Sequence, residues 1–261
     1  MSDSPRAKLA RATSTWLLRR PIRVALTKPV VSFTFDDVPV SAAETGAAIL
    51  EAHNARGTYY VSSSLIGCTN DYGEPIADGA AIAKLATAGH EIANHTFHHR
   101  RVGDLNHAKL QSDLQRNATT LANLTENRST TNFAYPFNAP SLCAKHVLKK
   151  HARSARGGLP GLNRATADLS FLRANTITPS TDKSAALDPA HIELITQAAT
   201  ENAWLIFFTH EVRNNPSVHG VSPDILERLV KRCLAANLDI MTVDAALDRI
   251  GAPRSQLREA G

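Results

Sequence analysis

Apolar and polar residues follow two rhythms along this chain. Short β-rich apolar runs recur, and between them lie longer stretches with apolar positions three or four apart. Val30–Phe35 (VVSFTF) is the first run and ends in Asp36-Asp37. A helical pattern covers residues 42–54 and stops before Gly57, after which Thr58–Val61 (TYYV) reads as a strand. Asp78 caps the helix AAIAKLATA, Gly89 stops it, and His90–Ala93 forms the next strand. A helix over 107–124 leads to the strand Asn132–Tyr135, and Pro140 or Ser141 opens another helix. The segment 153–180 holds two short strands, one near Phe171–Ala174. Helices Pro189–Asn202 and Pro223–Ala236 flank the strand Trp204–Thr209 (WLIFFT), and Asp239–Val243 closes the series. This alternation predicts an α/β fold with a parallel sheet and outer helices, either open or closed as a barrel.

Composition narrows the function classes. With 43% hydrophobic and 20% charged residues in 261, the chain can bury the core of one globular domain. No apolar run approaches the ~18 residues of a membrane-spanning helix. Cys68, Cys143 and Cys233 are odd in number and lack CxxC spacing, which argues against a disulfide framework and for a reducing compartment. The net charge of +5 is concentrated: residues 1–30 carry seven basic groups and one acid, and the remaining 231 carry 22 and 23. Residues 1–28 are therefore expected to be a basic arm and residues 29–261 the folded domain. No basic face with interleaved aromatics spans the domain, so no nucleic-acid partner is expected. Trp16-Leu17-Leu18 runs directly into Arg19-Arg20-Pro21, unlike a signal peptide, and a cytoplasmic location is expected.

The polar clusters fall at strand ends: Asp36-Asp37, His95…His99, Pro136-Phe137-Asn138 and His210-Glu211. In parallel sheets and barrels the carboxyl ends of strands share one rim, so these clusters would converge. Histidines four apart on a helical turn can both reach one ion, and a carboxylate from another strand completes a set of three ligands. Each cluster alone has a plainer reading as well. The histidines would be a solvated surface pair, the aspartates helix caps, and His210 a hydrogen-bonded structural residue.

Together, TFDD (34–37), HTFHH (95–99), FAYPFN (133–138) and FFTHE (207–211) resemble the motif series of the NodB-type polysaccharide deacetylases, carbohydrate esterase family 4, over residues 29–250. The resemblance implies a distorted (β/α) barrel, usually of about seven parallel strands. It also implies metal-dependent removal of acetyl groups from N-acetylhexosamine in a bacterial polysaccharide or its lipid-linked precursor. By that resemblance Asp37, His95 and His99 bind one divalent ion, zinc first and cobalt second. Asp36 is the general base, His210 the general acid, and the Phe137 backbone N–H an oxyanion donor. Asp168 is the candidate to orient His210.

Two positions depart from the family pattern: Ala134 stands where relatives have arginine, and Asn138 where they have glycine. Asp36 thus lacks its usual partner; either another arginine, Arg156 or Arg173, replaces it or the base is supported differently. A same-fold amidohydrolase acting on a non-sugar amide and an inactive carbohydrate-binding relative are the alternatives. The resemblance extends to intracellular exopolysaccharide and holdfast deacetylases, which places the substrate at the inner face of the membrane. Residues 6–20 would form a helix ended by Pro21. That helix either contacts an anionic membrane, or packs on the barrel or on a second subunit of a homodimer.

Overall fold

The computed structural model describes residues 13–70, 73–128, 131–177 and 187–254. Its strands are β1 (Pro21–Val24), β2 (Val30–Asp36), β3 (Thr58–Val61), β4 (Glu91–Asn94), β5 (Phe133–Ala134), β6 (Ala155–Arg156), β7 (Ala165–Asp168), β8 (Asn175–Thr176), β9 (Trp204–Thr209) and β10 (Asp239–Ile240). The helices are α1 (Ala47–Ala52), α2 (Gly79–Thr87), α3 (His107–Leu124), α4 (Leu142–His151), α5 (Pro189–Glu201), α6 (Pro223–Ala235) and α7 (Val243–Arg249).

Seven strands form one parallel sheet in the order β6-β5-β4-β3-β2-β9-β8, and β10 joins β2 in parallel at Val30 and Val31. The sheet curls until β6 meets Leu172, in the segment that leads into β8. Leu172 N donates to Ala155 O at 2.8 Å, and Gly157 N donates to Leu172 O at 3.0 Å. The result is the distorted (β/α) barrel that the resemblance implied.

Why these runs are strands is clearest in β2, where every residue is buried. Val31, Phe33 and Phe35 occupy one face and pack with Leu50 of α1 and Leu226, Leu229 and Val230 of α6. Ser32, Thr34 and Asp36 occupy the other face, as strand alternation requires. Their polar atoms are satisfied within the sheet: Trp204 Nε1 donates to Ser32 Oγ, and Thr34 Oγ1 to Phe207 O.

At the amino ends of the strands α7 closes the barrel. Val243 N donates to Thr58 Oγ1 and Asp244 N to Glu91 Oε2, while Asn132 Nδ2 donates to Glu91 Oε1. A buried carboxylate thus meets the positive end of a helix. With that end plugged, chemistry is left to the carboxyl ends.

Helix starts obey side-chain chemistry. Asp78, Asn106, Ser141, Asp188, Ser222 and Thr242 each accept a backbone N–H of the first turn. Three local expectations change. The helix predicted over 42–54 is a π-turn at Ala42–Gly46 followed by α1. Segment 153–180 contains β6, β7 and β8, three short strands rather than two, and Leu172 only bridges to Arg156. The closing strand stops at Ile240 because Thr242 caps α7.

Among the described residues no helix stands between β6 and β8. The antiparallel ribbon of β1 and β7 covers that side instead, with Ile22 and Val24 packed near Ala167, Leu172 and Trp204. Of the helix expected over residues 6–20, the described part is helical only over 13–16 and stops at Trp16, so Pro21 opens a strand rather than ending that helix. Lys145 Nζ donates to Thr15 O at 3.1 Å and Leu17 O at 2.9 Å. The Arg20 guanidinium donates to Ala152 O, Arg153 O and Leu169 O. Residues 13–28, expected to belong to an arm, are thus bound into the barrel wall, whereas residues 1–12 lie outside the described residues. No described helix is long and apolar enough to cross a membrane.

Candidate active site

Asp36 ends β2 and Arg156 ends β6, and the curl of the sheet brings them together. Arg156 Nη2 donates to both carboxylate oxygens of Asp36 at 2.5 Å. The guanidinium lies between the Tyr60 ring, 5.1 Å away, and the Phe208 ring, 4.8 Å away. Arg156 Nη1 also donates to Asn138 Oδ1 at 3.3 Å. Asn138 is held there by its neighbour: a Cβ on Gly158 would lie 2.5 Å from Asn138 Cγ. Burial alone would raise the Asp36 pKa, but Arg156, helped by His95 and His210, holds it below the ordinary carboxylate range. Asp36 is thus ionised at neutral pH. Arg156, one of two arginines named from sequence, fills the position that Ala134 vacates; Arg173 instead donates to Pro160 O and stacks on Trp16.

Asp37 points its carboxylate at three imidazoles. Its Oδ1 lies 3.3 Å from His99 Nε2 and 3.7 Å from His95 Nε2, and its Oδ2 lies 3.9 Å from His210 Nε2. One ligand atom from each of Asp37, His95 and His99 falls within 4.8 Å of the others. Burial pushes Asp37 up to about 6, with the Asp36 charge adding to the effect and His210 opposing it. Burial pushes His95 down to about 3, so its imidazole is neutral. His95 Nδ1 donates to Ala134 O at 2.9 Å, which leaves Nε2 as a lone-pair donor facing Asp37.

These residues fit a divalent cation. Asp37 Oδ1 is buried and has no hydrogen-bond donor among the described residues. An orphaned buried carboxylate oxygen beside two imidazole nitrogens is costly by itself and is satisfied by a cation. One carboxylate and two histidines form a donor set suited to zinc and related ions.

The histidines do not reach this point on a helix. His95 to His99 form a loop after β4, with left-handed φ of +66° at Thr96 and +50° at His99. Asn94 Oδ1 accepts Thr96 N, and Asp113 accepts Phe97 N and the His98 ring. His98 is thereby turned away from the ligand cluster. Asn117 Nδ2 locks the arrangement by donating to Asn94 Oδ1 and Val61 O. Asp113 and Asn117 went unnoticed in the sequence, although they interrupt the core-facing Leu110, Leu114 and Leu121 stripe of α3.

Backbone strain collects at the same rim. Asp37 and Val38 have φ of +60° and +57°, and Phe137 and Asn138 have +57° and +51°. Each such residue costs roughly 1–3 kcal/mol and persists where its surroundings over-determine it. Phe137 sits in the turn Pro136–Asn138, and its ring packs on His99 at 4.7 Å.

Asp168 is not brought to this cluster. It ends β7, where its carboxylate accepts Arg20 N, Ser170 N and Lys145 Nζ. The ribbon's antiparallel pairing with β1 holds it against the N-terminal segment, so its contacts are structural. His210 Nδ1 is buried with no hydrogen-bond partner among the described residues, and its ring lies 5.4 Å from that of His219.

Known proteins resemble this chain in sequence and in fold. A probable peptidoglycan-N-acetylglucosamine deacetylase of Arthroderma benhamiae is 29% identical over 120 residues, 46% of this chain and 26% of the relative. A gellan lyase of a Bacillus species is 27% identical over 175 residues, which are 66% of this chain and 6% of that protein. The chain therefore spans only a minor part of the curated relatives it matches. Among solved structures, a family 4 acetyl xylan esterase from Clostridium thermocellum, in complex with a cobalt ion, superposes with a TM-score of 0.56. It shares 17% identity, over 87% of this chain and 94% of that one. The carbohydrate esterase domain of a xylanase from the hindgut metagenome of Trinervitermes trinervoides also gives 0.56, at 14% identity over 88% and 94%. These similarities carry the fold. The polysaccharide deacetylase family model matches residues 23–154, more than half of the chain, which includes Asp36, Asp37, His95, His99 and Phe137. The chain belongs to the polysaccharide deacetylase family.

Proposed function

We propose that the protein is a metal-dependent hydrolase that removes acetyl groups from N-acetylhexosamine units of a bacterial polysaccharide or its lipid-linked precursor. The observation that carries this reading is the juxtaposition of the Arg156-held Asp36 with the Asp37–His95–His99 cluster. Asp37, His95 and His99 hold the cation, zinc in the first instance. A bound divalent ion supplies Lewis-acid polarisation of the amide carbonyl and lowers the pKa of water. Asp36 is ionised by its contact with Arg156 and accepts a proton from the attacking water. His210, beside Asp37 Oδ2, delivers a proton to the leaving nitrogen. The backbone N–H of Phe137 donates to the oxygen that gains charge, and its strained turn holds it in place before reaction.

The reading as an inactive relative rested on the arginine missing at position 134. Arg156 removes that ground, because Asp36 has its guanidinium partner from another strand.

The lipid-linked precursor implies work at the inner face of a membrane, in the cytoplasm. The three free cysteines support a reducing compartment. Trp16, Leu17 and Leu18, exposed at 57%, 48% and 54%, form an apolar strip beside basic Arg19 that suits contact with an anionic surface. A second copy of the chain is the alternative occupant. Flotation with anionic liposomes and sedimentation of the free protein distinguish the two.

Acetate release from N-acetylglucosamine oligomers, before and after chelation, tests the function. Release that chelation abolishes and zinc or cobalt restores is expected. Chelator-insensitive release would overturn the metal assignment, and no release from any acetylated sugar would overturn the substrate class.

A further inference from the structure

The loop that carries His95 and His99 continues as Arg100-Arg101, so HTFHHRR holds two arginines and no acid. The Arg101 guanidinium carbon lies 4.7 Å from the centre of the Phe137 ring, and that ring lies 4.7 Å from the His99 ring. Arg101 is thus two contacts from a candidate metal ligand, one over the Phe137 ring and one between tilted rings. Phe137 is 48% exposed, so the stack opens to solvent at the mouth of the site. Arg116 of α3 lies over the ring of Phe97 from the same loop, 3.8 Å from its centre, and Arg100 is exposed.

Most other described guanidiniums are committed to a partner, Arg23 and Arg232 excepted. Arg153, Arg156, Arg164, Arg213, Arg249 and Arg254 each meet a carboxylate. Arg20 and Arg173 spend their N–H groups on backbone carbonyls. Arg100, Arg101 and Arg116 do neither among the described residues. A guanidinium stacked on an aromatic face is fixed in plane and keeps its edge donors available. That is the geometry in which arginine grips a carboxylate or phosphate with two parallel hydrogen bonds.

We infer that this rim recognises a negatively charged group, carboxylate or phosphate, on or next to the acetamido sugar, with Arg101 as the specificity-determining residue. The inference rests on the deacetylase reading and narrows its substrate to an anionic saccharide. Arg101 touches no reacting atom; it selects which acetamido group is presented to Asp36 and the ligand cluster. Arg100 and Arg116 add a positive field that attracts an acidic chain and weakens with salt.

The test uses the full-length, zinc-loaded protein and three probes: an N-acetylglucosamine tetramer, a glucuronate–N-acetylglucosamine tetrasaccharide, and N-acetylglucosamine 1-phosphate. Binding is read by calorimetry at low and high salt, and acetate release is read in parallel. Wild type should bind one anionic probe about tenfold more tightly, per sugar, than the neutral tetramer, the strength of a charge-assisted pair. The probe preferred identifies carboxylate or phosphate as the group read.

High salt should erode the preference. Arg101→Gln should erase it, with the ratio of kcat/KM between anionic and neutral substrates falling through KM, while Arg101→Lys retains part of it. Equal binding of all probes by wild type would overturn the inference. So would an Arg101→Gln variant that weakens neutral and anionic probes alike, since that marks a residue that only stiffens Phe137. If the anion preference depends on Arg101 but no probe releases acetate, the deacetylase reading fails separately from the anion site.

Discussion

Arg156 grips both oxygens of Asp36 from across the curled sheet, and neither side chain has meaningful contact with solvent. The pair joins the ends of β2 and β6, strands not adjacent in the sheet, so it serves closure and chemistry together. Removing one partner of a buried ion pair strands the other, at a cost of about 3–5 kcal/mol. Arg156→Met should lose stability of that order and raise the Asp36 pKa, because burial is then opposed only by His95 and His210. The pKa of Asp36 lies below its ordinary value, so this carboxylate stabilises the fold at neutral pH and that contribution is lost on acidification. In Arg156→Met the acid limb of the rate profile should move upward, and in Arg156→Lys by less. Denaturant unfolding and a pH–rate profile measure both, and an unshifted acid limb would detach Arg156 from the base.

The ligand cluster predicts a pH dependence of its own. Asp37, raised to about 6, takes up a proton on acidification, and a cation must displace it. His95, lowered to about 3, stays neutral through this window and adds nothing. Zinc affinity should therefore fall at least about tenfold between pH 7 and pH 5. In metal-free protein, ionising Asp37 costs stability as pH rises through about 6. The Tm gain on adding zinc should accordingly be larger above that pH than below it. His95→Ala should abolish both the affinity and the Tm gain. A Tm gain independent of pH would contradict the assignment of Asp37 as a ligand.

Asp168 separates a structural role from a catalytic one. Its carboxylate answers the buried ammonium of Lys145, which also holds the carbonyls of Thr15 and Leu17. Asp168→Asn keeps acceptor geometry but removes charge beside that ammonium. It should cost about 1–3 kcal/mol in unfolding free energy and leave kcat within twofold of wild type. A large loss in kcat at unchanged stability would instead tie Asp168 to His210.

Much of the fold was legible because its main strands are buried on both faces and are rich in apolar, β-forming residues. VVSFTF and WLIFFT became β2 and β9 in full register, Val30 to Trp204 through Phe35 to Thr209. The caps at Asp78 and Ser141 were readable for the same local reason. The failures have physical causes. α7 hides behind a short strand, since only Thr242 announces it. β6 and β8 span two residues each and are held by closure of the barrel, which no local pattern encodes.

At the site, TFDD and HTFHH placed Asp36, Asp37, His95 and His99 correctly at strand ends. Their convergence depends on left-handed backbone at Thr96 and His99, where a helix had been read. Arg156 could be named only as one of two candidates, because its distance from Asp36 is set by the curl of the sheet. Asp168 misled because an acid in a loop-rich stretch carries no sign of which neighbour it will serve.

The central claim is that Asp36, held ionised by Arg156, is the base for hydrolysis at the Asp37–His95–His99 cluster. The most direct measurement is acetate release by Asp36→Asn, with bound zinc quantified in the same sample and folding checked by circular dichroism. The account predicts a loss of at least about a thousandfold in kcat, the scale of general-base catalysis, with zinc stoichiometry equal to wild type. Wild-type acetate release from a folded, zinc-loaded Asp36→Asn would contradict it.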